Sequence, residues 1–192
     1  MDIENLSEGA GEFTSHSYLV EGKALIDAGK DYIVLNRLEG INLEKIIVTH
    51  SHHDHIENLE LILNKHNPKI YAFAPDKIEI ETKELKDGEK VMLGEKEFEV
   101  IHTPGHTEDS ICLYNKEEKI LFSGDTVFPN GIFGRTDLKD GDNDKIVRSV
   151  EKLAELDVKK IFPGHGHYGE ENGNQHILEA LEKAKEELKE KR

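Results

Sequence analysis

With a single cysteine, Cys112, among 192 residues, the chain cannot form an internal disulfide. The alternating run around it, Ser110-Ile111-Cys112-Leu113-Tyr114, suits a strand, and a small buried hydrophobe is the role expected of the thiol rather than a nucleophile. Long apolar runs are missing too. No stretch approaches the roughly 20 apolar residues of a membrane span. The opening Met1-Asp2-Ile3-Glu4 is acidic and has no apolar run of the kind a signal peptide needs. These absences make a soluble cytoplasmic protein with no membrane partner the expectation. Positive charge is also scarce: 25 Lys and Arg face 40 Asp and Glu, for a net charge of −15. No basic cluster is free of interleaved Glu or Asp, so the phosphate-binding stripe of a nucleic-acid partner is excluded and the charge reads as a solvated surface.

The length suits one domain over 1–192, large enough to bury roughly 70% of its unfolded surface. Residues 12 to 36 read as short strands: Tyr18–Val20, then Ala24–Ile26 after the turn Glu21-Gly22, then a third apolar run, Tyr32 to Leu35. Lys45 to Thr49 is a β-branched run of the buried-strand type. Ile56, Leu59, Ile62 and Leu63 recur at helical spacing up to Asn67-Pro68. Further strands are expected at 69–74, 98–103, 110–115, 119–123 and 158–162. A polar segment at 75–90 and a Gly- and Asp-rich loop at 126–143 separate some of them. Ile146, Val147, Val150, Leu153 and Leu156 mark an amphipathic helix, and Ile177, Leu181, Ala184 and Leu188 another at the C-terminus.

The chemistry concentrates in Thr49-His50-Ser51-His52-His53-Asp54-His55, which sits between an expected buried strand and a helix. Alternate residues of an extended segment share a face, so His50 and His52 point together. Asp54 and His55 follow the bend toward the helix and reach a neighbouring point. Imidazole and carboxylate ligands without thiolate suit zinc, and also iron or manganese. Three more ligand-type residues follow expected strands: His106 after Pro104-Gly105, Asp125 after Gly124, and His165 between Gly164 and Gly166. With His50 they make four ligand-type residues at strand ends, and strand ends gather at one edge of a sheet.

This set, His50-x-His52-x-Asp54-His55 followed by His106, Asp125 and His165, resembles the metal-binding signature of the metallo-β-lactamase superfamily over about residues 12 to 170. The resemblance implies an α/β fold, an αβ/βα sandwich with mixed sheets, outer helices and the metals at the sheet edge. It implies two divalent metal ions, zinc first, with iron or manganese as alternatives. His50, His52 and His106 would hold one ion and Asp54, His55 and His165 the other. Asp125 and a hydroxide would bridge them. Asp27, in Leu25-Ile26-Asp27-Ala28-Gly29, matches the early aspartate that supports the site from behind. His53 has no role in the signature.

Gly124-Asp125-Thr126-Val127-Phe128 and Gly134-Arg135-Thr136-Asp137 resemble the glyoxalase II-like branch and its persulfide dioxygenase relatives. The expected activity is hydrolysis of a thioester or similar small ester, with the bridging hydroxide attacking the acyl carbon and Asp54 and Asp125 as the catalytic carboxylates. Asp125 stands where zinc β-lactamases often place Cys or Ser, which points away from antibiotic hydrolysis. A single expected helix after His165 differs from the helical region with which full-length glyoxalase II binds glutathione. Two alternatives remain. One is a mononuclear iron persulfide dioxygenase using His50, His106 and Asp125, and the other a metal-binding module without turnover. His167 and Tyr168 read as a surface turn and a packed ring, with substrate contact as the other possibility. Substrate selectivity is expected in the loops at 75–90 and 126–143.

Overall fold

The computed structural model describes residues 1–11, 13–169 and 171–191. Glu12 and Glu170, at the two ends of the resembling span, lie outside the described residues, as does Arg192. The first half runs β1 (Ile3–Asn5), β2 (Tyr18–Val20), β3 (Ala24–Ile26), α1 (Tyr32–Arg37), β4 (Lys45–Ile47), α2 (His53–Ile56), α3 (Leu59–His66), β5 (Lys69–Ala72), one 3-10 turn (Pro75–Lys77) and β6 (Thr82–Glu84). The second runs β7 (Lys90–Leu93), β8 (Lys96–His102), β9 (Ile111–Asn115), β10 (Ile120–Gly124), β11 (Val127–Phe128), β12 (Ile132–Phe133), α4 (Asn143–Ala154), β13 (Lys160–Pro163) and α5 (Gly173–Glu190). The first six strands form one sheet in chain order. The second sheet is ordered β13-β10-β9-β8-β7, and β11 and β12 pair as a small separate hairpin.

Strand alternation builds the layers. In the first sheet Tyr18, Val20 and Ile47 point inward, while their neighbours Leu19 and Ile46 point outward. In the second sheet Val100, Leu113 and Phe122 point inward, while Ile101, Cys112 and Leu121 point outward. The inward sets meet in one core between the sheets. The outward set of the first sheet packs on Val34 and Leu38 at α1 and on Leu59 and Ile62 of α3. That of the second packs on Ile146, Val150 and Leu153 of α4 and Ile177 of α5. Helix, sheet, sheet, helix is the αβ/βα sandwich expected from the sequence. Among the described residues no helix is long and apolar enough to cross a membrane.

Two details correct the sequence reading. Tyr32 to Leu35 is helical, not a third strand. Asp31 caps it, its Oδ1 accepting from the Ile33 amide at 2.9 Å. Val34 and Leu38, one helical turn apart, then bury against the sheet. The loop at 126–143 contains the β11–β12 hairpin, whose strands of two residues are too short to show a period. Cys112 is buried, and burial pushes its thiol up to about 11, consistent with a packing role.

Candidate metal centre

β8 and β10 both run antiparallel to β9, and β13 runs parallel to β10, so these three strands end at one edge. β4 of the other sheet ends beside them, where the Ile111 amide donates to the Thr49 carbonyl at 2.9 Å. All seven residues of the expected ligand set come together there. Three groups of ligand atoms each lie within 4.8 Å of one another: His50, His52 and His106; Asp54, His55 and His165; and His50, His55 and Asp125.

In the first group His52 Nδ1 is 3.1 Å from His50 Nε2 and 2.9 Å from His106 Nε2. In the second, His165 Nε2 is 3.1 Å and His55 Nε2 3.9 Å from Asp54 Oδ2. Asp125 stands between them. Its Oδ2 is 3.5 Å from both His106 Nε2 and His165 Nε2, and its Oδ1 is 3.5 Å from His55 Nε2.

Two of the rings are held through their other nitrogen. His55 Nδ1 donates to Asp27 Oδ2 at 2.8 Å, and His106 Nδ1 donates to the Arg135 carbonyl at 2.8 Å. Each bond fixes the tautomer and leaves Nε2 facing the cluster. Asp27 also accepts from the Thr49 amide and hydroxyl, both at 2.7 Å, so it holds the strand end and the helix start at once. It does so from a left-handed backbone, at φ 58°. A further brace was not legible in the sequence. Buried Asp109 accepts from the Ser51 amide at 3.0 Å and from Lys77 Nζ at 2.9 Å, and Lys77 also reaches Asp140. Nothing in the local spacing marks Asp109, because its partners come from two distant segments.

The set fits divalent ions. Ligands about 2.1 Å from a tetrahedral ion lie about 3.4 Å from one another, close to the separations here. Two buried atoms aimed into the cluster, His55 Nε2 and Asp125 Oδ1, have no hydrogen-bond partner. Gly164 leaves the space: a Cβ there would sit 2.1 Å from Asp125 Oδ1.

The electrostatics agree with a cation-seeking site. Burial pushes the His50 imidazole well below its usual range, and neighbouring imidazoles push the same way, so it is neutral and ready to ligate. Burial alone would raise Asp125, but His55, His50 and His165 outweigh it and hold the carboxylate ionised. Burial likewise opposes Asp54, yet the His165 hydrogen bond and the His55 charge bring it down to about 2. Burial would lower His55, but Asp27 and Asp125 hold it well above the ordinary histidine range. Carboxylates held ionised among clustered imidazoles mark a place where a metal cation can stand in for protons.

His53 pairs with Glu57 at 3.3 Å and belongs to none of the three groups of ligand atoms. Tyr168 packs on the rings of His16 and Tyr18, at centroid distances of 5.2 and 5.9 Å. His167 is exposed beside His165. The Arg135–Asp137 ion pair forms at 2.8 Å, but it is the Arg135 carbonyl that touches a member of the ligand set.

Comparison with known proteins places these features in context. The model of the metallo-beta-lactamase superfamily matches residues 10–165. A hydroxyacylglutathione hydrolase of Francisella tularensis subsp. novicida is 33% identical over 144 residues, 74% of this chain and 56% of that protein. The chain thus spans a little over half the length of the curated relatives it matches. The crystal structure of the BLEG-1 B3 metallo-beta-lactamase shares the fold, with a TM-score of 0.75 at 24% identity, covering 91% of this chain and 96% of the other. TTHA1623 in a di-iron-bound form gives a TM-score of 0.73 at 25% identity, with the same coverage.

Proposed function

The chain belongs to the metallo-beta-lactamase superfamily, and from that premise we propose that it is a binuclear metallo-hydrolase acting on a thioester or similar small ester. The observation that carries this reading is the position of Asp125, 3.5 Å from His55, His106 and His165 and so between the two groups of three. His50, His52 and His106 would hold one ion, Asp54, His55 and His165 the second, and Asp125 would serve both. Two divalent ions, zinc first and iron or manganese next, would supply a water activated near neutral pH and a Lewis acid for the acyl oxygen.

The rest belongs to the chain itself. Asp27 and the Arg135 carbonyl keep His55 and His106 aimed with Nε2 toward the centre. Asp54, ionised and 3.1 Å from His165, would orient the attacking water. A thiolate leaves with little acid assistance, which suits a centre whose carboxylates are held ionised. The relatives named hydroxyacylglutathione hydrolase support an acyl-thioester substrate class.

The single-iron dioxygenase alternative uses only His50, His106 and Asp125. It gives no task to the equally well gathered Asp54, His55 and His165. Elemental analysis of protein purified without chelator or affinity-column metal separates the two. We expect about two divalent ions per chain, together with turnover of at least one member of a panel of acyl thioesters, esters and lactones. One iron per chain, oxygen uptake with a persulfide and no hydrolysis would overturn the proposal.

A further inference from the structure

The cluster lies at the floor of an open cavity of about 620 Å³, within the size range of small-molecule sites. Its walls are apolar, built by Phe13, Phe128, Ile132, Phe133 and Leu138, with Lys30 among them. Phe13 and Ile132 are 79% and 55% exposed, an unusual amount of bare apolar surface around a polar centre. Phe13 also holds a left-handed backbone, φ 67°, which costs a bulky residue free energy and places its ring at the cavity mouth.

The cavity has two cationic side chains in its lining, and they differ. Arg135 is neutralised by Asp137, with bonds of 2.9 and 2.8 Å from Nε and a terminal nitrogen. Lys30 Nζ has no carboxylate partner among the described residues. The loop that carries it is rigidly held. The Ala28 amide donates to the His55 carbonyl at 2.8 Å, and the Lys30 amide donates to Thr14 Oγ1 at 3.1 Å. Asn58 Nδ2 reaches the carbonyls of Ala28 and Asp31. Gly29, φ 63°, packs where a Cβ would sit 2.8 Å from Ser17 Oγ. A half-buried lysine with no carboxylate partner among the described residues, carried on a held loop beside the candidate ligands in a protein of net charge −15, offers a binding point for an anion.

We propose that the substrate has one arm with an apolar body ending in a carboxylate, and that Lys30 binds that carboxylate while the Phe- and Ile-lined wall covers the body. This rests on the hydrolase reading above, and deepens it to a substrate class.

The test uses the full, metal-loaded chain and paired thioesters. In one series heptanoyl and pimeloyl thioesters of N-acetylcysteamine place the carboxylate on the acyl arm. In the other, acetyl thioesters of hexanethiol and mercaptohexanoate place it on the thiol arm. In at least one series the carboxylate-ended member is expected to have the higher kcat/KM, chiefly through KM. Lys30→Met should lower that ratio about tenfold. Lys30→Glu should invert it in favour of an amine-ended analogue, a reversal that a purely structural lysine would not give. Calorimetry with the uncleavable thioethers of the same arms reads Lys30 independently of turnover. If no thioester is hydrolysed but the carboxylate thioether binds and Lys30→Met weakens it, the hydrolase reading fails and the anion site stands. Ratios and thioether affinities unmoved by both variants in both series would overturn the Lys30 proposal.

Discussion

At the scale of single residues, the centre depends on atoms with no other employment. Asp125 is buried, ionised and within 3.5 Å of three imidazoles from three different segments. Asp125→Ala removes the one group that both ions would share under the proposed function. It is expected to drop bound metal from about two ions to one or none and activity by at least about a hundredfold, with the far-UV spectrum unchanged. Two tightly bound ions in that variant would contradict the shared role. Gly164 is a sharper probe of the same carboxylate, because its substitution adds bulk and removes no ligand. The new Cβ would meet Asp125 Oδ1 at 2.1 Å and His55 Cε1 at 2.8 Å. Gly164→Ala should therefore weaken metal binding by about tenfold or more, in the range seen when a ligand's support is disturbed. Unchanged affinity in a metal-buffer titration would show that the Pro163–His165 turn can move aside. That the seven candidate ligands gather was legible because histidine and aspartate at strand ends, and in the run from His50 to His55, carry their chemistry in their names. Asp109 and Lys30 were not, because a carboxylate under a distant amide and a lysine on a cavity wall have no local spacing.

At the scale of elements, legibility followed length and period. α4 and α5 were read from apolar positions three and four apart, and both bury those faces on the second sheet. The strands carrying the centre were read within a few residues, since β-branched runs next to turn residues leave little else to form. β1, β11 and β12, of two or three residues, have no period to read and exist because a neighbouring strand pairs with them. α1 was misread because four apolar residues in a row carry no period, and the deciding feature was the Asp31 cap. Capping also decides where α4 begins, since Asp142 Oδ1 accepts from the Lys145 amide at 2.9 Å. Asp142→Ala is expected to cost about 1 kcal/mol in denaturant unfolding. Asp109→Ala removes the acceptor of the Ser51 amide and unpins the His50–His55 loop from the 3-10 turn at Pro75–Lys77. It should cost about 1–3 kcal/mol and also weaken metal binding, which Asp142→Ala should leave alone. Equal metal affinities in the two variants would remove Asp109 from the support of the centre.

At the scale of the whole molecule, each group of ligands is drawn from both sheets. His50 and His52 follow β4 of the first sheet, and His106 follows β8 of the second. Asp54 and His55 again follow β4, while His165 follows β13. Ions held there would clamp the two sheets at the edge where the inner core ends. The acidic surface complicates any test, because a net charge of −15 favours the compact state less as self-repulsion grows, and any salt relieves that. Specific and general effects differ in size and in concentration. An ion in thousandfold excess over its Kd contributes about 4 kcal/mol to folding, and a chain of this length shifts by about 2–4 °C per kcal/mol. Screening needs roughly 0.1 M salt before the Debye length falls to about 10 Å. Chelation is therefore expected to lower Tm by about 10 °C or more. Micromolar zinc should restore it, while sodium chloride raised through the same range should not. Equal recovery with sodium chloride would mean that the cluster binds cations only through bulk charge, and the two sheets would then owe their junction to the inner core alone.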